Sequence, residues 1–192
     1  MNSPGRILIV CTGNVCRSPF IERILRSRLV ASSAAAPPTV VSAGTGALVG
    51  RPMDERAAAR LVDAGGSAEG FVAQQLTKEL VASAQLVLTA TRRHRADVAT
   101  LHPKALGYAF TFRDFADLAS QIDPPGLDDA TPAAARVQAV VERVAARRGV
   151  NPPLTAAEAD IVDPFRRGDE VFVQMSHQVL AGLPAVVRAL SC

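Results

Sequence analysis

The sequence predicts an α/β fold of three layers, a four-stranded parallel sheet with helices on both faces. Two observations predict it. Several short runs are apolar throughout instead of alternating, as strands covered on both sides are. Segments with helical spacing fall between those runs, and a strand–helix alternation of this kind builds a doubly wound parallel sheet.

Taken in order, Arg6 followed by Ile7-Leu8-Ile9-Val10-Cys11 is the first buried strand. Residues 12–17 form a turn-rich loop, and Ser18-Pro19 reads as an N-cap followed by proline at the first helical position. A helix then covers 19–30, with Ile21, Ile24, Leu25 and Leu29 on one face. The small-residue and proline stretch 31–38 leads to a second strand at 39–43, closed by Gly44 and Gly46. Residues 54–64 are helical, with Asp54 as cap and Gly65-Gly66 as stop. A third strand at 85–89 precedes a basic helix at 92–101, and 105–110 is the fourth strand. Residues 120–154 are the least regular part. They carry Pro124-Pro125-Gly126, the pair Asp128-Asp129 and a helix-like run at 133–148, and are expected to be a passive surface insertion. A last helix at 170–190 packs back on the sheet. One domain spanning 1–192 is the expectation for a chain of this length.

Composition excludes several function classes. The 21 basic and 18 acidic residues leave a net charge of +3, and the pairs Arg92-Arg93, Arg147-Arg148 and Arg166-Arg167 are scattered, so no nucleic-acid partner is expected. No stretch is long and apolar enough to span a bilayer, and the amino terminus offers only Ile7 to Val10 where a secretory signal needs a longer run. Three cysteines, Cys11, Cys16 and Cys192, suit a reducing cytoplasm better than a disulfide framework; Cys192 reads as incidental. His94, His102 and His177 lack metal-ligand spacing and read as surface or helix residues. Nothing specifies an oligomer.

The chemistry concentrates in Cys11-Thr12-Gly13-Asn14-Val15-Cys16-Arg17-Ser18-Pro19. A loop between a buried strand and a helix start aims several backbone N–H groups at one point, where the helix dipole adds positive potential. Cys11 at the start of that loop sits in the same field, which favours a thiolate nucleophile. Arg17 returns beside the sulfur and can grip two phosphate oxygens with its planar fork. Gly13 lets the loop turn with its backbone toward an anion, and Asn14 tolerates a left-handed conformation while hydrogen-bonding within the loop. Ser18 can cap the helix and donate to the Cys11 sulfur.

That nine-residue run resembles the active-site signature of the low-molecular-weight protein-tyrosine phosphatases, a superfamily that includes arsenate reductases. Ser42-Ala43-Gly44-Thr45, Gly50-Arg51-Pro52-Met53-Asp54, Gln75-Leu76-Thr77 and Asp163-Pro164-Phe165 resemble further landmarks in the same order. The resemblance implies a flavodoxin-like sheet, a cysteinyl-phosphate intermediate on Cys11 and neither metal nor cofactor. It implies as substrate a phosphotyrosine-containing protein or a small aryl phosphate, held by Thr12, Gly13, Asn14, Val15, Cys16 and Ser18, with Leu48 and Phe165 at the rim. The general acid must come from outside the loop. Of the two Asp-Pro pairs, Asp163-Pro164 matches the expected acid loop just before the last helix, whereas Asp123 sits in the irregular stretch and reads as a turn residue. Asp163 would protonate the leaving phenolate and then serve as base for water. Cys16 reads either as a redox partner of Cys11 or as a small buried lining residue.

Three features depart from the usual pattern. Phe71 stands where many members place a histidine behind the phosphate loop; Leu48 occupies a rim that is aromatic elsewhere; and 120–154 is longer than compact members need. Two other enzymes fit the same scaffold. An arsenate reductase that hands its product to a small cellular thiol needs only Cys11, and a phosphoarginine phosphatase uses the same loop. Val15, apolar instead of hydroxylated, suits an aromatic ring better. A phosphate-binding module without catalysis would not need Asp163.

Overall fold

The computed structural model describes residues 5–32, 36–128, 130–150 and 152–191. Cys192 and Asp129, and the readings attached to them, lie outside these described residues.

Continuous apolar runs form strands here because both of their faces are covered. The sheet has the order β2-β1-β3-β4, all parallel. It comprises β1 (Arg6–Cys11), β2 (Thr39–Gly44), β3 (Leu86–Thr89) and β4 (Ala109–Thr111). The period of two divides β1 between the layers: Ile7 and Ile9 enter one core, Leu8 and Val10 the other. On the first face lie α1 (Arg17–Ser32), α2 (Glu55–Asp63), α5 (Phe112–Ser120), α6 (Ala133–Ala146) and α8 (Asp169–Leu190); on the second lie α3 (Lys78–Ala82) and α4 (Arg92–Leu101). A single turn, α7 (Ala156–Ala159), precedes the loop that carries Asp163. The strand order reverses at β1, so the crevice outside its carboxyl end is where this topology binds ligands.

The structure corrects several expectations. The first helix starts at Arg17, two residues early, and Cys16 is its cap: the Cys16 carbonyl accepts from the Phe20 amide at 3.1 Å. Ser18 is therefore not an N-cap, and Pro19 stands within the first turn, where its missing N–H would have no intrahelical partner anyway. The fourth strand is only Ala109–Thr111; Pro103 opens a 3₁₀ turn over Pro103–Gly107 instead. Helices α3 and α5 go beyond the expected set. In α5 the apolar spacing Phe112, Phe115, Ala116, Ala119 is the signal that finds it.

The largest correction concerns 120–154. Helix α6 is not passive surface, because it buries Val137, Val140, Val141 and Val144 in the main core. Arg136, also buried, donates to the carbonyls of Thr131 and Ala36.

Candidate active site

Cys11 ends β1 and is 2% exposed. The loop that follows owes its shape to bonds on its outer side. The carbonyls of Cys11, Thr12 and Gly13 accept from the amides of Thr45, Gly46 and Leu48 at 2.9, 3.0 and 3.0 Å, and the Val15 carbonyl accepts from Asp54 at 2.8 Å. In a planar trans peptide the next residue's N–H points the opposite way. The amides of Thr12, Gly13, Asn14 and Cys16 therefore turn away from these outer bonds, toward the inner side of the loop, as an anion-binding nest requires. Close approach makes this possible at Gly44, where a Cβ would overlap the Thr12 carbonyl oxygen.

Asn14 has φ 55°, the left-handed conformation its short amide tolerates. Its Oδ1 accepts from the Gln74 amide at 2.8 Å, and its Nδ2 donates to Ser18 Oγ at 2.9 Å and Ser42 Oγ at 2.8 Å. Ser42 passes its proton on to Glu22 Oε2 at 2.6 Å, and Glu22 is paired with Arg26. The Ser18 hydroxyl also lies 2.9 Å from Cys11 Sγ, placed to donate its proton to a thiolate there. This network takes the part expected of a histidine at position 71. Phe71 instead packs in the core, 5.5 Å beneath the Arg23 guanidinium.

A cavity of about 140 Å³ opens in front of the sulfur. Cys11, Thr12, Gly13, Val15, Cys16, Arg17, Leu48, Asp163 and Phe165, all expected at the site, line it together with Gly46. Asn14 and Ser18 do not line it; their side chains are buried behind the loop and hold its shape. Arg17, 5% exposed, meets Asp163 with Nη2 to Oδ2 at 2.7 Å, so the carboxylate reaches the cavity from the loop before α8. Asp163 Oδ1 also accepts from the Phe165 amide at 3.2 Å. The other Asp-Pro pair is remote. Pro124 and Pro125 share a groove with Arg28 and Ser32 at the far end of α1, roughly 20 Å from Arg17 at the helical rise per residue.

Sequence reasoning missed His94. It is buried, not a surface residue, and its Nε2 lies 2.8 Å from Thr12 Oγ1 and its Nδ1 2.7 Å from Thr91 Oγ1. Thr91 caps α4 by accepting from the His94 amide at 3.3 Å. The ring thus bridges Thr12 and Thr91 through its two nitrogens. Burial, with the Arg17 charge second, pushes His94 down to about 4. The available signal was Thr91-x-x-His94 opening a helix directly after β3. Burial, followed by the charges of Asp54, Cys11 and Asp163, pushes the Cys16 thiol up to about 12, so it is held neutral.

A family model described as low molecular weight phosphotyrosine protein phosphatase matches residues 6–147. The chain belongs to this family. It is a phosphoric monoester hydrolase of the low-molecular-weight protein-tyrosine-phosphatase type, and the match favours that chemistry over arsenate reduction on the same scaffold. Low molecular weight protein-tyrosine-phosphatase Etp of Escherichia coli K12 is 37% identical over 118 residues, covering 62% of this chain and 76% of Etp. The crystal structure of the Erwinia amylovora tyrosine phosphatase AmsI superposes with a TM-score of 0.70 at 25% identity, covering 99% of this chain and 95% of AmsI. The YwlE arginine phosphatase from Geobacillus stearothermophilus gives a TM-score of 0.68 at 25% identity, covering 97% and 93%. Among the described residues, no helix is long and apolar enough to cross a membrane, and no group of three potential metal ligands occurs.

Proposed function

We propose that this phosphatase hydrolyses phosphotyrosine in proteins through a cysteinyl phosphate on Cys11, with Arg17 binding the phosphate and Asp163 as general acid and base. One observation carries the reading: a single small cavity holds a sulfur, a guanidinium and a carboxylate between the apolar walls Val15, Leu48 and Phe165. The phosphate dianion settles on the inward N–H groups and on Arg17, which gives up its contact with Asp163 as it does so. The Cys11 thiolate attacks phosphorus; the P–O bond to the tyrosine breaks, and Asp163, which takes up a proton from solvent when Arg17 leaves it, delivers that proton to the departing oxygen. The Asp163 carboxylate then takes a proton from water as that oxygen attacks phosphorus, and the S–P bond breaks to release inorganic phosphate and the free sulfur. Neither step needs a metal or cofactor. The neighbouring N–H groups are fixed before the reaction, so the charge spreading over the phosphoryl oxygens meets dipoles that need no reorganisation. The two reduced, buried thiols at the site fit a cytoplasmic setting.

Acid quench of the protein during turnover of a radiolabelled tyrosine-phosphorylated protein tests this. Label is expected on Cys11, and kcat/KM is expected to favour a phosphotyrosine peptide over phosphoserine and phosphoarginine peptides of the same sequence. Label elsewhere, or a preference for phosphoarginine, would overturn the reading.

A further inference from the structure

Arg56 is an arginine in an unfavourable place. It lies in the first turn of α2, where the helix dipole disfavours a cation, so helix stability does not account for it. Its carboxylate contacts are long: 3.8 Å from Nε to Asp54 Oδ1, and 3.9 Å from Nη1 to the exposed Asp169. The short contacts are of another kind. Nη1 donates to the Arg167 carbonyl at 2.6 Å, and the guanidinium carbon lies 4.2 Å over the ring of Phe172, a buried residue in the first turn of α8.

Arg167 closes the acid loop. Its amide donates to the Pro164 carbonyl at 2.9 Å, and the Phe165 amide donates to Asp163, so 163–167 is one hydrogen-bonded turn that Arg56 holds by its far end. The backbone of the same residue is anchored to the phosphate loop. Asp54, the cap of α2, donates its amide to the Val15 carbonyl while its Oδ1 accepts from the Arg56 amide at 3.0 Å. A short path therefore runs from Val15 through Asp54 and Arg56 to Arg167 and the turn that carries Asp163.

We infer that Arg56 is a positioning residue that fixes the Asp163 turn relative to the phosphate loop and so sets the general acid against the leaving oxygen. The inference rests on the reading of Asp163 as that acid. A planar fork stacked on an aromatic ring suits the task, because stacking and hydrogen bonding together fix its plane. Arg56 itself does not line the cavity in front of the Cys11 sulfur, so nucleophilic attack does not depend on its side chain.

The test is kcat/KM of Arg56→Ala and Arg56→Lys on aryl phosphates of graded leaving-group basicity, each also combined with Asp163→Asn, with melting temperatures recorded. Arg56→Ala is expected to lose about tenfold to a hundredfold on phosphotyrosine or phenyl phosphate. It should lose less than about twofold on 2,4-dinitrophenyl phosphate, whose leaving group needs no proton. Arg56→Lys, which keeps a donor but not the stack, should recover part of the loss, and it supplies the same comparison should the alanine variant fold poorly. In the Asp163→Asn background neither change should matter further. Equal losses on all leaving groups, or an undiminished loss in the Asp163→Asn background, would overturn the inference while leaving Asp163 as the acid. An Asp163→Asn variant with no leaving-group dependence would remove the proposed acid, and this inference with it.

Discussion

The Arg17 guanidinium and the Asp163 carboxylate share one short contact, Nη2 to Oδ2 at 2.7 Å, between a residue in the first turn of α1 and one 146 positions later in the chain. A phosphate oxygen gripped by Arg17 competes with that carboxylate for the same N–H. On the proposed mechanism Asp163 is thus both the acid and a rival of the substrate.

Two opposite consequences follow from this for one substitution. Asp163→Asn should slow hydrolysis of phosphotyrosine by on the order of 10²–10⁴, and the loss should shrink for leaving groups that are stable anions. The same variant should bind inorganic phosphate about two- to fivefold more tightly, the range expected from removing a half-exposed ion pair. Asp123→Asn should change neither. Competitive inhibition by phosphate beside the two rates checks this, and a more damaging Asp123 variant would move the acid to the 120–154 segment.

Cys11→Ser should abolish turnover yet keep vanadate binding, because the inward amides and Arg17 remain. Arg17→Lys should lose most activity, since a point charge cannot replace a planar fork. Calorimetric titration with vanadate separates the two variants, and appreciable hydrolysis by the purified serine variant would exclude Cys11 as nucleophile.

Peroxide should inactivate the enzyme by converting the Cys11 sulfur to a sulfenic acid, which Cys16 then displaces with loss of water to give a disulfide. A thiol reductant should restore wild type, whereas Cys16→Ser should oxidise further and stay inactive. With the Cys16 thiol pushed up to about 12, closure should speed up as pH rises. Equal recovery of wild type and variant would rule out the protective role.

His94 should make the fold sensitive to acid. Its pKa falls from 6.5 to about 4 on folding, so between those values the unfolded chain binds more protons than the folded one. Its contribution is complete above about pH 6.5 and is lost as pH falls toward 4. Denaturant midpoints of wild type and His94→Gln, compared from pH 7 to 4, should converge on acidification. A constant difference over that range would mean that His94 does not carry this dependence.

Much of this was readable before any coordinates. Unbroken apolar strands, helical spacing between them and the run from Cys11 to Pro19 all act over a few residues, and local chemistry determines each. The start of α1 lies earlier than expected because Ser18 is a better cap by type than Cys16, yet it is the Cys16 carbonyl that accepts the first helical bond, from the Phe20 amide. The role of α6 was missed because polar and proline residues flank it, although its valines repeat with a helical period. His94 was missed because its one signal, the Thr91 cap three residues before it, shows that it opens a helix and not what its ring faces.

By itself, the sequence determined the sheet and the family, and it singled out Cys11, Arg17 and Asp163, which the fold brings into one cavity. Only the tertiary structure decided that the loop's N–H groups turn inward, that Asn14 and Ser18 work from behind the loop, and that His94 and Arg56 belong to its surroundings. The physical reason is one of range. Propensity, patterning and loop chemistry are summed over neighbours in the chain, whereas the direction of a peptide plane at Thr12 depends on an amide at Gly46, and the place of Asp163 on a guanidinium more than a hundred residues away.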